Sequence, residues 1–160
     1  MDVLHYIIFL PIAAGIVLFL IPERFKPIKA LFALVISAIV LYLSFTVYGY
    51  DSQTLRLSLF EETLAGGTIL HQVLSGASAY FTLNIDALSK LIILFVAGFA
   101  LVISIYSTRY VNREKAIFHF YPFFLITLGC SMGAVLADNL LLFIFFWGIL
   151  GFTLYKLIKG

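Results

Sequence analysis

Charge is what this sequence has least of. Asp, Glu, Lys and Arg make up 11% of its 160 residues, while the set AVILMFWYC makes up 63%. An ordinary soluble domain is about 25% charged and about 45–50% apolar. With a mean hydropathy of +1.12, the chain has too little charge to cover a water-exposed core, which excludes a soluble enzyme, a disordered tail and a secreted module. Cysteine is scarcer still. The single Cys130 cannot close an intramolecular disulfide and has no thiol partner for a metal. A formal charge of +2 is too small to point to nucleic acid. No Ser/His/Asp set, phosphate-cradling glycine loop, metal cluster or buried carboxylate pair is visible, so no catalytic site, cofactor, metal or small-molecule substrate is expected of this chain alone. What remains is an integral membrane protein.

Long apolar runs are what the sequence does have. A helix needs roughly 20 mostly apolar residues to cross a bilayer, and five stretches qualify: 4–21, 28–50, 86–106, 117–136 and 139–158. They are too long, and alternate too little, to be strands. Pro22 stops the first. That first stretch is read as a retained helix and not a signal peptide, because Asp2 is the only charge before it and no small-residue cleavage site follows. The fold expected is an all-α membrane protein of five spanning helices, forming one membrane domain over residues 1–160. No internal repeat or interdomain linker interrupts it.

The few charges are sorted by loop. Arg24, Lys26 and Lys29 fall between the first two helices, Arg109, Arg113 and Lys115 between the third and fourth, and Lys156 and Lys159 after the fifth. These eight of the ten basic residues share one side if all five helices span. Asp2, Asp51, Glu61, Glu62, Asp86 and Asp138 take the other. The excess of Lys and Arg in cytoplasmic loops then sets the N-terminus outside and the C-terminus in the cytoplasm of a multi-pass protein of the cell (inner) membrane.

One sizeable loop, 51–85, lies on the outer side. Period-two alternation at 54–59 and 79–85, with Gly66-Gly67 as a turn signal, fits two short strands. A small hairpin over the outer helix ends and a plain connector are both open readings. Ionisable groups in or near the membrane are functional suspects, so Asp86, Lys90, His119 and Lys156 are the ion-pathway candidates. Each has a plainer alternative. Asp86 and Lys90, four apart on one helix face, also suit an interfacial anchor. His119 suits a headgroup-level contact, and Lys156 can snorkel to headgroups. Asp138 and Asn139 suit a helix cap, and His5 and His71 fall at exposed outer positions. Gly129, Ser131, Gly133 and Ala134 on the fourth helix, with Gly148 and Gly151 on the fifth, would let these two approach closely.

Two stretches carry a family resemblance. Residues 81–111 place an Asp at a helix start, then an apolar span, then Tyr-Ser-x-x-Tyr at 106–110. Residues 120–147 run from Phe-Tyr-Pro through Gly-Cys-Ser-Met-Gly at 129–133 and Ala-Asp-Asn-Leu-Leu at 137–141 to Phe-Phe-Trp at 145–147. Together they resemble the N-terminal part of the antiporter-like, proton-translocating membrane subunits of respiratory complex I, membrane-bound hydrogenases and multi-subunit cation/proton antiporters. The resemblance implies partners: other membrane subunits of one complex, in contact with the bilayer. The small residues of the fourth and fifth helices, which also suit a neighbour pressing on the pair, lead us to expect a chain stable only inside a larger membrane assembly.

Two departures from the family pattern bear on function. The family usually places a glutamate of its proton pathway directly after the aromatic-Trp pair, where this sequence has Gly148. The family's later helices, with the lysine that partners that glutamate, have no counterpart in these 160 residues. The expected function is therefore a membrane subunit of a redox-driven proton- or sodium-translocating complex (a complex I-like NADH/quinone oxidoreductase or a membrane-bound hydrogenase), non-conducting by itself. The alternatives are one piece of a split antiporter subunit, whose ion path is completed by a partner chain, and an unrelated structural or solute-import subunit.

Overall fold

The computed structural model describes residues 3–49, 54–56, 82–110 and 119–159. Five helices appear: α1 (Val3–Leu20), α2 (Lys26–Tyr48), α3 (Ala87–Tyr110), α4 (Phe120–Leu136) and α5 (Leu140–Lys159). Four are long and apolar enough to cross a membrane, and α4, at 17 residues, is shorter but equally apolar. Their bounds differ from the sequence expectation chiefly in α3, which runs a full turn further, to Tyr110. The extra turn stays helical because Ser107 is buried in it and its hydroxyl donates to the Ser104 carbonyl at 2.9 Å. A short 3-10 turn, Glu23–Phe25, links α1 to α2, and Pro27 sits in the first turn of α2, where its missing N–H costs nothing.

Successive helices run in opposite directions. Phe19 near the end of α1 stacks on His119, ring centroids 5.5 Å apart, and meets Phe123 edge-on at 5.1 Å, so α1 ends where α4 begins. The Tyr121 hydroxyl donates to the Ser107 carbonyl at 3.1 Å, tying the start of α4 to the end of α3. At the opposite end the Ser89 hydroxyl donates to the Val135 carbonyl at 3.5 Å. Among the described residues, Arg24, Lys26, Lys29, Arg109, Lys156 and Lys159 therefore collect at one end of the bundle, and Asp86 and Asp138 at the other. Arg113 and Lys115, like Asp2, Asp51, Glu61 and Glu62, lie outside the described residues.

At the acidic end two short strands pair antiparallel. They are β1 (Thr54–Arg56) and β2 (Thr82–Asn84), with Thr54 opposite Asn84 and Arg56 opposite Thr82. Leu83 forms a further antiparallel bridge to Ala137, which pins the end of the loop onto the α4–α5 turn. The alternation expected at 79–85 is visible where the chain is described, with Leu83 and Ile85 both buried. Residues 57–81, which hold the rest of the expected strands, Gly66-Gly67 and His71, lie outside the described residues.

Helices in lipid gain little from hiding apolar surface, so they associate through close contact and small residues. Two seams show this. On α1 the buried positions are Leu4, Ile7, Ile8, Pro11, Ala14, Gly15 and Leu18, the three-and-four spacing of one helix face. That face meets α4, and each helix places a glycine against the other's backbone. A Cβ on Gly15 would lie 2.8 Å from the Pro122 carbonyl oxygen, and one on Gly129 would lie 2.7 Å from that of Ile8. The α2–α3 seam is built from Ala33, Ser37, Val40, Ser44 and Val47 on one side and Ile93, Ala97, Ala100, Ser104 and Ser107 on the other. Both sets step four, three, four, three, the interval that keeps a seam between two supercoiling helices. Ser37 and Ser44 turn their hydroxyls back to the carbonyls of Ala33 and Val40, both at 2.8 Å, so they pack as small, satisfied groups.

Among the described residues, helix α5 packs chiefly on α4, where Leu142, Phe146 and Thr153 are buried. The Phe146 ring fills the space a side chain at Gly133 would need, 2.7 Å from the place of its Cβ. Among the described residues the Thr127 and Thr153 hydroxyls join the pair at 2.9 Å, with the single Thr127 proton shared between Thr153 and the Phe123 carbonyl at 2.7 Å. Such bonds in membranes average about 0.6 kcal/mol. Thr153→Val keeps the shape and removes the bond, so it should destabilise the α4–α5 pair by about that amount. Denaturant titration in mixed micelles measures it, and a loss above about 2 kcal/mol would mean the hydroxyl does more than pair.

The close approach expected of α4 and α5 does occur, but through different residues on the α5 side. Gly148 and Gly151 have no atom within 4 Å of a built Cβ and are exposed. The register set by Phe146 and Thr153 turns both glycines away from α4.

Candidate functional site

The four ion-pathway candidates are split between the two ends. Asp86 is exposed and stands just before α3; its carbonyl accepts the Lys90 backbone N–H at 3.0 Å. Lys90 is half-buried one turn on. Nearby, the Asn139 side-chain oxygen accepts the Leu141 N–H at 3.2 Å, which caps the first turn of α5. This is the cap expected of the Asp138–Asn139 pair. His5 departs from expectation. It is half-buried, and its Nε2 is enclosed without a hydrogen-bond partner, because the first turn of α1 packs along the end of α4 instead of standing clear of it.

His119 and Lys156 belong to the basic end. His119 is expected just inside the fourth helix, but it precedes α4 with φ 59°. Few residues other than glycine adopt this left-handed conformation. It turns the chain into α4 and holds the imidazole against Phe19. Lys156 is exposed, with its ammonium 5.8 Å from the centroid of the Phe152 ring, and Lys159 pairs with Tyr155 in the same way at 5.5 Å. Aromatic faces under a cation suit the headgroup level of a bilayer. Gly148, at the family's glutamate position, lies about midway along α5 on its open face.

Two polar residues that sequence reasoning passed over are almost fully enclosed. Lys29, counted there as a loop cation, stands in the first turn of α2 and is 1% exposed. Ser104 is 0% exposed. With Ser107 and Tyr121, both 2% exposed, they make the basic end of the α2–α3–α4 packing polar inside as well as outside. The signal was present in the spacing, since Lys29 lies four residues before the buried Ala33 and beside the buried Ala30. No group of three or more His, Cys, Asp or Glu able to hold a metal occurs among the described residues.

No family model matches the chain. Individual relatives do. The chain is 27% identical to Na(+)/H(+) antiporter subunit A1 of Staphylococcus haemolyticus (strain JCSC1435) over an alignment of 161 positions, covering 99% of this chain and 19% of the relative. It is 26% and 25% identical, with the same coverage, to subunits of that name from Staphylococcus aureus. The chain thus spans about one fifth of the length of the curated relatives it matches. The similarity runs through both stretches that carry the sequence resemblance and through the helices before them. With its apolar, membrane-long helices, the chain is a multi-pass integral protein of the cell membrane, similar along its length to part of an antiporter-like membrane subunit.

Proposed function

We propose that this chain serves a multi-subunit cation/proton antiporter as part of a membrane subunit whose ion path is completed by groups outside these 160 residues. The observation that carries this reading is the similarity to Na(+)/H(+) antiporter subunit A1 along 99% of the chain. The path cannot be complete within these residues. A proton crossing a bilayer needs ionisable groups at depth, and α5 holds none between Asn139 and Tyr155. Expressed with its neighbouring genes, the chain should let a sodium-sensitive host that lacks its own antiporters grow at high sodium. Deleting this chain from the set should abolish that growth. Undiminished growth after the deletion would remove the chain from the transport machinery.

The redox-driven reading rests on the motif order at 81–111 and 120–147, which complex I-like subunits share. It predicts ion movement that stops without an electron donor, whereas an antiporter exchanges ions on a sodium or proton gradient alone. Neighbouring hydrogenase or quinone-oxidoreductase genes would favour it.

The orientation we propose has the acidic end outside and the basic end in the cytoplasm, as the distribution of Lys and Arg requires. With cysteines introduced at Ser52 and Asn112, an impermeant thiol reagent added to whole cells should label only the first. Labelling of both, or of the second alone, would overturn the orientation.

A further inference from the structure

The last turn of α5 gathers positive charge on one exposed surface. Lys156 and Lys159 are both exposed and three residues apart, which makes their side chains neighbours with Cβ atoms about 5–6 Å apart. Each ammonium stands beside a ring four residues back. That of Lys156 is 5.8 Å from the Phe152 centroid, and that of Lys159 is 5.5 Å from the Tyr155 centroid and donates to the Tyr155 hydroxyl at 3.2 Å. No Asp or Glu occurs in residues 139–160, so the helix brings no carboxylate of its own to this pair. The other cations of the basic end are placed differently: Lys29 is buried, Lys26 is half-buried, and Arg24 and Arg109 are exposed on separate elements. Below the two lysines the same surface turns apolar. Phe152 and Phe145 precede Lys156 by four and eleven residues, spacings that keep all three on one side of a helix. Both rings are more than half exposed, clear of the face that buries Leu142, Phe146 and Thr153. Eleven helical residues rise about 16 Å, close to half of a hydrocarbon core of roughly 30 Å, which is the depth one acyl chain occupies.

We propose that Lys156 and Lys159 clasp the phosphate of one anionic glycerophospholipid, whose acyl chain lies along Phe152 and Phe145. Snorkelling by itself lifts a lysine to headgroup level without choosing among headgroups. Two cations with no carboxylate on their helix do choose. A zwitterionic headgroup brings its own ammonium toward the pair, whereas an anionic one brings only negative charge and accepts charge-assisted hydrogen bonds from both lysines. The rings beneath the ammonium groups restrict the swing of two long side chains, so less freedom is lost when the phosphate binds. Free phosphate would meet the same ammonium groups, but the apolar strip below them adds a contact that only a lipid can make. The bound lipid gives α5, which packs chiefly on α4, a second attachment and sets its depth in the leaflet. This site depends neither on the antiporter reading nor on which end of the bundle faces the cytoplasm.

The test is photo-crosslinking of the full chain, assembled with its partner subunits, in vesicles of phosphatidylcholine with a minor share of phosphatidylglycerol. A benzophenone amino acid replaces Phe145, an exposed ring outside the charged pair, and after irradiation the mass of the chain identifies what it has captured. A basic residue near an anionic membrane surface is worth about fivefold in affinity. The ratio of phosphatidylglycerol to phosphatidylcholine adducts should therefore exceed the ratio in the vesicle by about fivefold or more. The double variant Lys156→Gln, Lys159→Gln should bring it down to the vesicle ratio, while Lys156→Arg with Lys159→Arg should keep the enrichment. The same benzophenone at Leu141, near the acidic end of α5, should capture the two lipids in the vesicle ratio. Adducts at position 145 in the vesicle ratio, or an enrichment that the double glutamine variant leaves unchanged, would overturn the proposal. So would equal enrichment at position 141, which would mean that the complex attracts anionic lipid everywhere. Capture of a protein and not a lipid at position 145 would overturn it too, because another helix would then cover this face.

Discussion

Gly129→Ala should destabilise the helix bundle by about 2 kcal/mol, a larger loss than alanine causes at any exposed glycine of the chain. The added methyl meets the Ile8 carbonyl oxygen at 2.7 Å and the Ile12 side chain. Ile12 can change rotamer, but a carbonyl inside α1 cannot turn without breaking that helix. The two helices must therefore separate along a seam whose attraction depends on contact. Overpacking a close-packed site typically costs about 1–3 kcal/mol, and in lipid no hydrophobic gain offsets it. Gly15→Ala should behave alike, since its Cβ would meet the Pro122 carbonyl at 2.8 Å. Gly148→Ala and Gly151→Ala are the controls, each entering open space. Denaturant titration in mixed micelles would show a shifted midpoint for the first pair only. Equal midpoints across all four variants would refute the backbone contact between α1 and α4.

Gly148→Glu should lower the amount of assembled complex severalfold without raising ion flux per complex. The position is about midway along α5, on a face where no described residue lies within 4 Å. A charged group at the centre of a spanning helix costs about 3 kcal/mol against insertion. A carboxylate without a partner takes up a proton or pays that penalty, and no lysine of α5 lies closer than Lys156, two turns away. The readout is proton uptake by reconstituted vesicles, normalised to assembled complex. A rise in flux would mean that a neighbouring chain brings a cation to α5. The non-conducting reading of these helices would then give way to the split-subunit one.

Hydropathy and the loop charges were enough to find all five helices, because lipid rewards long apolar stretches and positive charge marks one side. Contacts within the bundle were less legible. The small residues of α4 were recognised, but small residues identify a surface that can be approached closely without identifying what approaches. Gly129 turned out to serve α1, Gly133 to receive Phe146, and Gly148 to face away. Lys29 was hidden for a related reason. A cation next to Pro27 at the edge of an apolar run reads as a headgroup contact. Only its place beside the buried Ala30 and Ala33 of α2 reveals that it is enclosed. The capping role of Asn139 was legible because it depends on local spacing alone. The left-handed turn at His119 was not, since histidine gives little warning of a positive φ.

If this chain serves a cation/proton antiporter as proposed, it should be needed for exchange and should not conduct alone. The most direct measurement is sodium-dependent dissipation of a pH gradient in everted membrane vesicles, with no electron donor present once the gradient is formed. Vesicles carrying the chain together with its partner subunits should show exchange, while those carrying the chain alone, or the partners without it, should not. Exchange by the chain alone, or exchange by the partners that is indifferent to it, would contradict the account.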